Sequence, residues 1–112
     1  MSKNNESEYQ LTDSGYYILL SLLNPNHGYG IMKYVEEITE GEFIIGPATL
    51  YTTLKKMQKS ELINLQGEGE ERKKIYELTA VGKEVIYKEV QRRIRMAKQG
   101  EIAIRAIEGG VK

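Results

Sequence analysis

A chain of 112 residues with 16 basic and 16 acidic side chains carries no net charge, and its length suits one domain with a small interior. The absence of cysteine excludes disulfide frameworks, thiolate metal sites and thiol nucleophiles, and a single histidine, a single aspartate and no glycine-rich phosphate loop leave no material for a metal cluster or a triad. No stretch approaches the roughly 18 consecutive apolar residues that a membrane span takes, and no leader pattern opens the chain, so a cytoplasmic non-enzyme without cofactor, metal or membrane partner is expected.

Residues 1–10, MSKNNESEYQ, are polar and read as a flexible segment. Thr12, Asp13 and Ser14 can each cap a helix that runs to about Leu23. Its apolar residues Tyr16, Ile18, Leu19, Leu20, Leu22 and Leu23 cover more than one face, so one side is expected to meet the domain and another a partner. In NPNHGYG, Pro25 and Gly28 signal a turn, with His27 as a loop or helix-start residue. Ile31, Val35 and Ile38 then recur at spacings of four and three and predict a second helix, with Lys33, Glu36 and Glu37 outward and Gly41 just past its end. EFIIG is rich in branched and aromatic residues and reads as a short strand before Pro47.

Pro47 suits the first turn of a third helix, where its missing N–H has no intrahelical partner to lose. Leu50, Leu54 and Met57 form the inward stripe, and Ala48, Thr52, Lys55 and Lys59 lie opposite, flanked by Thr49, Tyr51 and Lys56. Charge is segregated here: residues 1–46 hold Lys3 and Lys33 against Glu6, Glu8, Asp13, Glu36, Glu37, Glu40 and Glu42, whereas residues 47–60 hold Lys55, Lys56 and Lys59 with no acid. ELINLQGEGEERKKIYELT reads as a hairpin of residues 62–66 and 74–78. Arg72, Lys73 and Lys74 sit at the base of its loop, with Glu68, Glu70 and Glu71 at the tip. From Thr79, a cap, a helix of about 25 residues is predicted through Ile86, Val90, Ile94, Ala97 and Ile104, with a bend or break at Gly100, since an interior glycine costs about 1 kcal/mol. Lys88, Arg92, Arg93, Arg95, Lys98 and Arg105 make this region basic.

Three helices, a short middle turn and a hairpin are the order of a winged helix-turn-helix. The expected fold class is mainly α with a small β-hairpin: a winged helix-turn-helix domain over residues 11–78, a long carboxy-terminal helix over 79–108 and a frayed tail at 109–112. In that fold the third helix enters the major groove of double-stranded DNA. Thr49, Tyr51 and Thr52 bring hydroxyls to bases or phosphates, Lys55, Lys56 and Lys59 bring charge, and Arg72, Lys73 and Lys74 of the wing reach the backbone. Readings of other classes are a winged-helix protein-interaction module and a domain that is primarily a small-molecule sensor.

HGYGIMKYVEEI, PATLYTTLKKMQKSELI and RKKIYELTAVGKE follow one another in unbroken order and resemble the PadR-like family of bacterial transcriptional regulators over roughly residues 11–107. The most specific elements are Tyr29 with Gly30, Leu50 with Tyr51, and YELTAVG from Tyr76 to Gly82. The resemblance implies a homodimeric repressor of nearby genes that binds a near-palindromic operator and is released by a small molecule. It is to the short form, whose single last helix packs on its twin, and it implies an interface of Tyr16, Leu19, Leu20 and Leu23 with Ile86, Val90, Ile94, Ala97 and Ile104. Drug-binding short forms resemble one another in a tryptophan on that helix. This chain has none, and its matching stretch EVQRRI instead places Arg92 and Arg93 where an aromatic or anionic effector would be met by charge or cation–π contact. The wing also departs from the family pattern, with GEGEERKK where glycine and proline often precede basic residues, so weaker wing contacts are expected.

Overall fold

The structure, a computed structural model, describes residues 11–66 and 74–109. They form α1 (Asp13–Ser21), α2 (Gly28–Ile38), α3 (Pro47–Lys59), β1 (Ile63–Gln66), β2 (Ile75–Leu78) and α4 (Ala80–Glu108), the order of a winged helix-turn-helix followed by a long helix. Residues 1–10, the wing tip and the last three residues, on which the flexible segment, Arg72, Lys73 and most of the tail were expected, lie outside the described residues.

Three of the four helices start where a side chain offers an acceptor for their orphan amides. Of the three candidates before α1, Thr12 is the cap, its hydroxyl accepting the Gly15 N–H at 3.0 Å. His27 caps α2 through Nδ1, which accepts the Gly30 N–H at 3.1 Å and gives the lone histidine a structural task. α3 begins with Gly46 and Pro47, and Thr79 caps α4 by accepting from Gly82 at 2.9 Å. Two of the ends are Schellman turns with glutamate rather than glycine in the left-handed position. Glu40 (φ 54°) and Glu61 (φ 62°) close α2 and α3, with Gly41 N–H bonding Glu36 O at 2.8 Å and Leu62 N–H bonding Met57 O at 2.9 Å. Gly41 therefore stands one residue further out than the glycine of a simple helix stop.

The core is one cluster gathered from every element. Ile18, Leu19 and Leu22 of α1 meet Ile31 and Val35 of α2, Leu50, Leu54 and Met57 of α3, Ile63 and Tyr76 of the hairpin and Ile86 of α4. Burying such an aliphatic side chain is worth about 2 kcal/mol. Two expectations fail at its edge. Ile38 is 48% exposed, because α2 ends on it and its last turn runs past the body that covers Val35. EFIIG forms no strand: among the described residues the only sheet is that of β1 and β2. Instead the segment is tied to the end of α2 by Thr39, whose hydroxyl lies 2.8 Å from Val35 O and accepts the Phe43 N–H at 3.1 Å, while Ile45 points into the core and Ile44 out.

The hairpin is antiparallel with Ile63 opposite Leu78 and Gln66 opposite Ile75, and Asn26 adds a two-bond bridge to Tyr76 that joins the turn before α2 to the wing. α4 leaves the hairpin in very close contact: the Thr79 hydroxyl bonds Glu61 O at 2.7 Å, and Gly82 lies against the Leu62 carbonyl. The helix then runs unbroken through Gly100, so of the bend or break expected there the break does not occur. Only its first half is covered. Beyond Arg93 every described residue is exposed, including Ile94, Met96, Ile102, Ile104 and Ile107.

A Cβ on Gly82 would stand 2.0 Å from the Leu62 carbonyl oxygen, a backbone atom that cannot step aside. Gly82→Ala is therefore expected to lower unfolding stability by about 2 kcal/mol, as overpacking of a close junction does, although alanine is the better helix former. Urea denaturation monitored by circular dichroism checks it.

Candidate nucleic-acid interface

With Leu50, Leu54 and Met57 buried, the opposite side of α3 is left to solvent. Thr49, Tyr51, Thr52, Lys55, Lys56 and Lys59 are all exposed, as expected, on a helix that carries three lysines and no acid. The hydroxyls precede the lysines along the helix, so hydrogen-bonding groups lie toward the amino end and charge toward the carboxy end. That suits base edges at the first and phosphates at the second. Tyr51 occupies the boundary between the faces: it is 48% exposed, and the end of its phenol rests on Gly28 at the start of α2. In the wing, Lys74 sits immediately before β2 and is partly buried. Across the strands the Gln66 amide donates to Glu77 at 3.2 Å.

Arg92 and Arg93, which the sequence suggested for an effector, already have partners within the protomer. Both guanidinium groups converge on Glu89, which is 4% exposed: Arg92 Nη2 and Arg93 Nε stand 2.7 Å and 2.8 Å from its Oε2. Arg93 also reaches Asp13 Oδ1 and the Leu11 carbonyl, each at 3.0 Å, and lies 4.2 Å over the ring of Tyr16. Burial by itself would push the Glu89 carboxyl up, but the hydrogen bonds from Arg92 and Arg93 and their charges outweigh it and hold the carboxyl below its usual range. The network fastens the start of α1 to the middle of α4. Glu89 was missed in the sequence, although its place three and four residues before two arginines is the signal for such a pairing.

The residues assigned to a dimer interface divide into two groups. Leu19 and Ile86 are wholly enclosed by the protomer's own core and have no surface to offer, a correction to that assignment. Tyr16, Leu20 and Val90 are partly buried against the core, while Leu23, Ile94, Ala97 and Ile104 are exposed. Met96, Ile102 and Ile107, exposed on the same helix, were not anticipated.

The description "Transcriptional regulator PadR-like family" matches residues 17–88, more than half of the chain. The protein belongs to the PadR-like family. That family consists of transcriptional regulators and not enzymes. The transcriptional regulator YqjI of Escherichia coli (strain K12) is 32% identical over 60 residues, which are 52% of this chain and 29% of YqjI, so the chain spans less than a third of that relative's length. Among solved structures, a PadR family transcription regulator of Clostridium difficile R20291 is 25% identical with a TM-score of 0.67, covering 80% of this chain and 96% of that one. Bacillus subtilis PadR, solved in complex with operator DNA, is 26% identical with a TM-score of 0.58 over 69% of this chain and 46% of its own. The long helix follows the winged helix directly, after Thr79.

Lys55→Ala should weaken DNA binding and reduce the slope of log affinity against log salt by about one unit, the signature of one lost phosphate contact. Fluorescence anisotropy at four or five salt concentrations measures it. Glu89→Gln should cost about 2 kcal/mol near neutral pH, toward the low side for a broken buried pair because both arginines are partly open to solvent. The folded carboxyl titrates below its ordinary value of 4.5, so its contribution is complete above that pH and disappears as pH falls through the folded value. Urea midpoints should thus differ by a constant amount between pH 7 and about 5 and converge in more acid solution.

Proposed function

We propose that the protein is a homodimeric, sequence-specific DNA-binding repressor of nearby genes, with α3 in the major groove of a near-palindromic operator. The observation that carries this reading is the outer face of α3, on which Thr49, Thr52, Lys55, Lys56 and Lys59 stand exposed and unopposed by acids on their own helix. Family membership supports it, as does the likeness to Bacillus subtilis PadR, which was solved with operator DNA. Tyr51, Lys74, Arg72 and Lys73 complete the proposed contact set.

The dimer is supported by the uncovered half of α4. A helix of about 15 residues standing alone in water is marginal, and one with five large apolar side chains in solvent calls for a covering surface. A twin helix with Leu23 and Leu20 of the partner's first helix supplies it, and a two-fold dimer places two copies of α3 about one helical turn of DNA apart. Release by a small aromatic or anionic effector belongs to the same proposal. Such a ligand would compete with Glu89 for Arg92 and Arg93, or bind where two copies of α4 meet.

The test is anisotropy of labelled DNA from upstream of the protein's own gene against scrambled DNA. A preference of a hundredfold or more, about 2.7 kcal/mol, saturating at one dimer per fragment, is the expected result. Equal, weak, salt-erased binding to both would favour the protein-interaction module instead.

A further inference from the structure

We infer that Gly28 is a positioning residue for the DNA-reading face of α3, acting through Tyr51. The inference rests on the DNA-binding reading above. Gly28 is the first residue of α2 and is buried, and what buries it is the far end of a side chain from the reading helix. A Cβ at position 28 would stand 2.1 Å from the Tyr51 phenol oxygen and 2.8 Å from Cζ. No methyl fits there unless the ring leaves. Tyr51 is thus fixed at both ends, by its own helix and by the first turn of α2, although half of it is in solvent beside Thr52 and Lys55.

The same turn also seats the wing. A Cβ on Gly30 would stand 2.1 Å from Asn26 Oδ1, the oxygen that accepts the His27 N–H at 2.9 Å. The backbone of Asn26 in turn exchanges bonds of 3.0 Å and 2.8 Å with Tyr76 of β2. Helix propensity favours alanine over glycine at both positions, so close approach and not helix formation accounts for them. The start of α2 is a smooth platform against which the reading helix and the hairpin are both set. Alanine at position 28 pushes Tyr51 off that platform and changes the surface that α3 presents, while leaving the Leu50, Leu54 and Met57 stripe in the core.

The experiment uses the full chain with Gly28→Ala, Tyr51→Ala and the double variant, and measures anisotropy on the upstream fragment together with the melting temperature. Gly28→Ala should lose at least tenfold in affinity, about 1.4 kcal/mol, with little change in melting. Added to Tyr51→Ala it should lose nothing more, because the residue it acts through is gone. An equal loss in both backgrounds, or none in the wild-type background, overturns the inference. If Gly28→Ala alone does not fold, Tyr51→Ala must restore folding, and a double variant that stays unfolded overturns it as well. Failure of the DNA-binding reading shows itself separately, as a wild-type protein that prefers no fragment. In that event the seat is read from the ring-current shift of the Gly28 α-protons, which Tyr51→Ala must abolish; unshifted protons in the wild type refute the contact itself.

Discussion

The burial of Leu50, Leu54 and Met57 on successive turns of α3 is the constraint on which the rest of the molecule depends. A helix gripped along one stripe has no rotational freedom, so the direction of every other side chain is settled by the core. Thr49, Thr52, Lys55, Lys56 and Lys59 are presented outward because the leucines are held inward. The grip needs partners on several sides: α1 and α2 supply Ile18, Leu22, Ile31 and Val35, and the hairpin closes the far end with Ile63 and Tyr76. Sequence, core and reading surface are therefore one arrangement: a polar substitution in the stripe would disturb the outer face as surely as it would cost stability.

α1 is the element through which the two halves of the molecule meet. Its start is held to α4 by Arg93, which bonds Asp13 and the Leu11 carbonyl and covers Tyr16. Its next residue, Tyr17, contacts Phe43 with ring centroids 4.9 Å apart, and Phe43 lies three residues before the Gly46 cap of α3. A shift of α4 would reach α3 across this short path, through the hairpin that Gly82 presses against, or through Ile86 in the shared core. These contacts define where double-mutant cycles have a physical reason to be run.

Much of this was legible in the sequence because it follows from periodicity and from capping chemistry. The i, i+4, i+7 stripe at positions 50, 54 and 57, the hairpin, the cap Thr79 and Thr12 as one of three candidate caps were all read from local pattern. What was not legible depends on distance along the chain. EFIIG has the composition of a strand but pairs with neither β1 nor β2, and Thr39 takes the backbone bonds of Phe43 instead. Ile38 keeps the helical period yet falls where the covering body ends. Leu19 and Ile86 are as apolar as Leu23 and Ile94, and nothing local separates a residue enclosed by its own fold from one left for a partner. Arg92 and Arg93 looked like solvated or ligand-seeking charges because one of their partners, Asp13, lies 80 residues away from Arg93.

A chain with no net charge must bind a polyanion by arrangement and not by bulk attraction. At physiological salt, screening reduces charge interactions beyond about 8 Å, so acids distant from the contact surface do little to repel phosphates while lysines at the surface still attract them. With three lysines on α3, one protomer can release few counterions, and its nonspecific affinity should be low. In the proposed dimer, pairing through the uncovered half of α4 would double the contacts and still leave the net charge at zero, so affinity would come chiefly from two copies of α3 meeting two half-sites in register. Under that regime the exact setting of α3 would matter more than its charge, and the proposed seat of Tyr51 on Gly28 would count for as much as a lysine placed at phosphate.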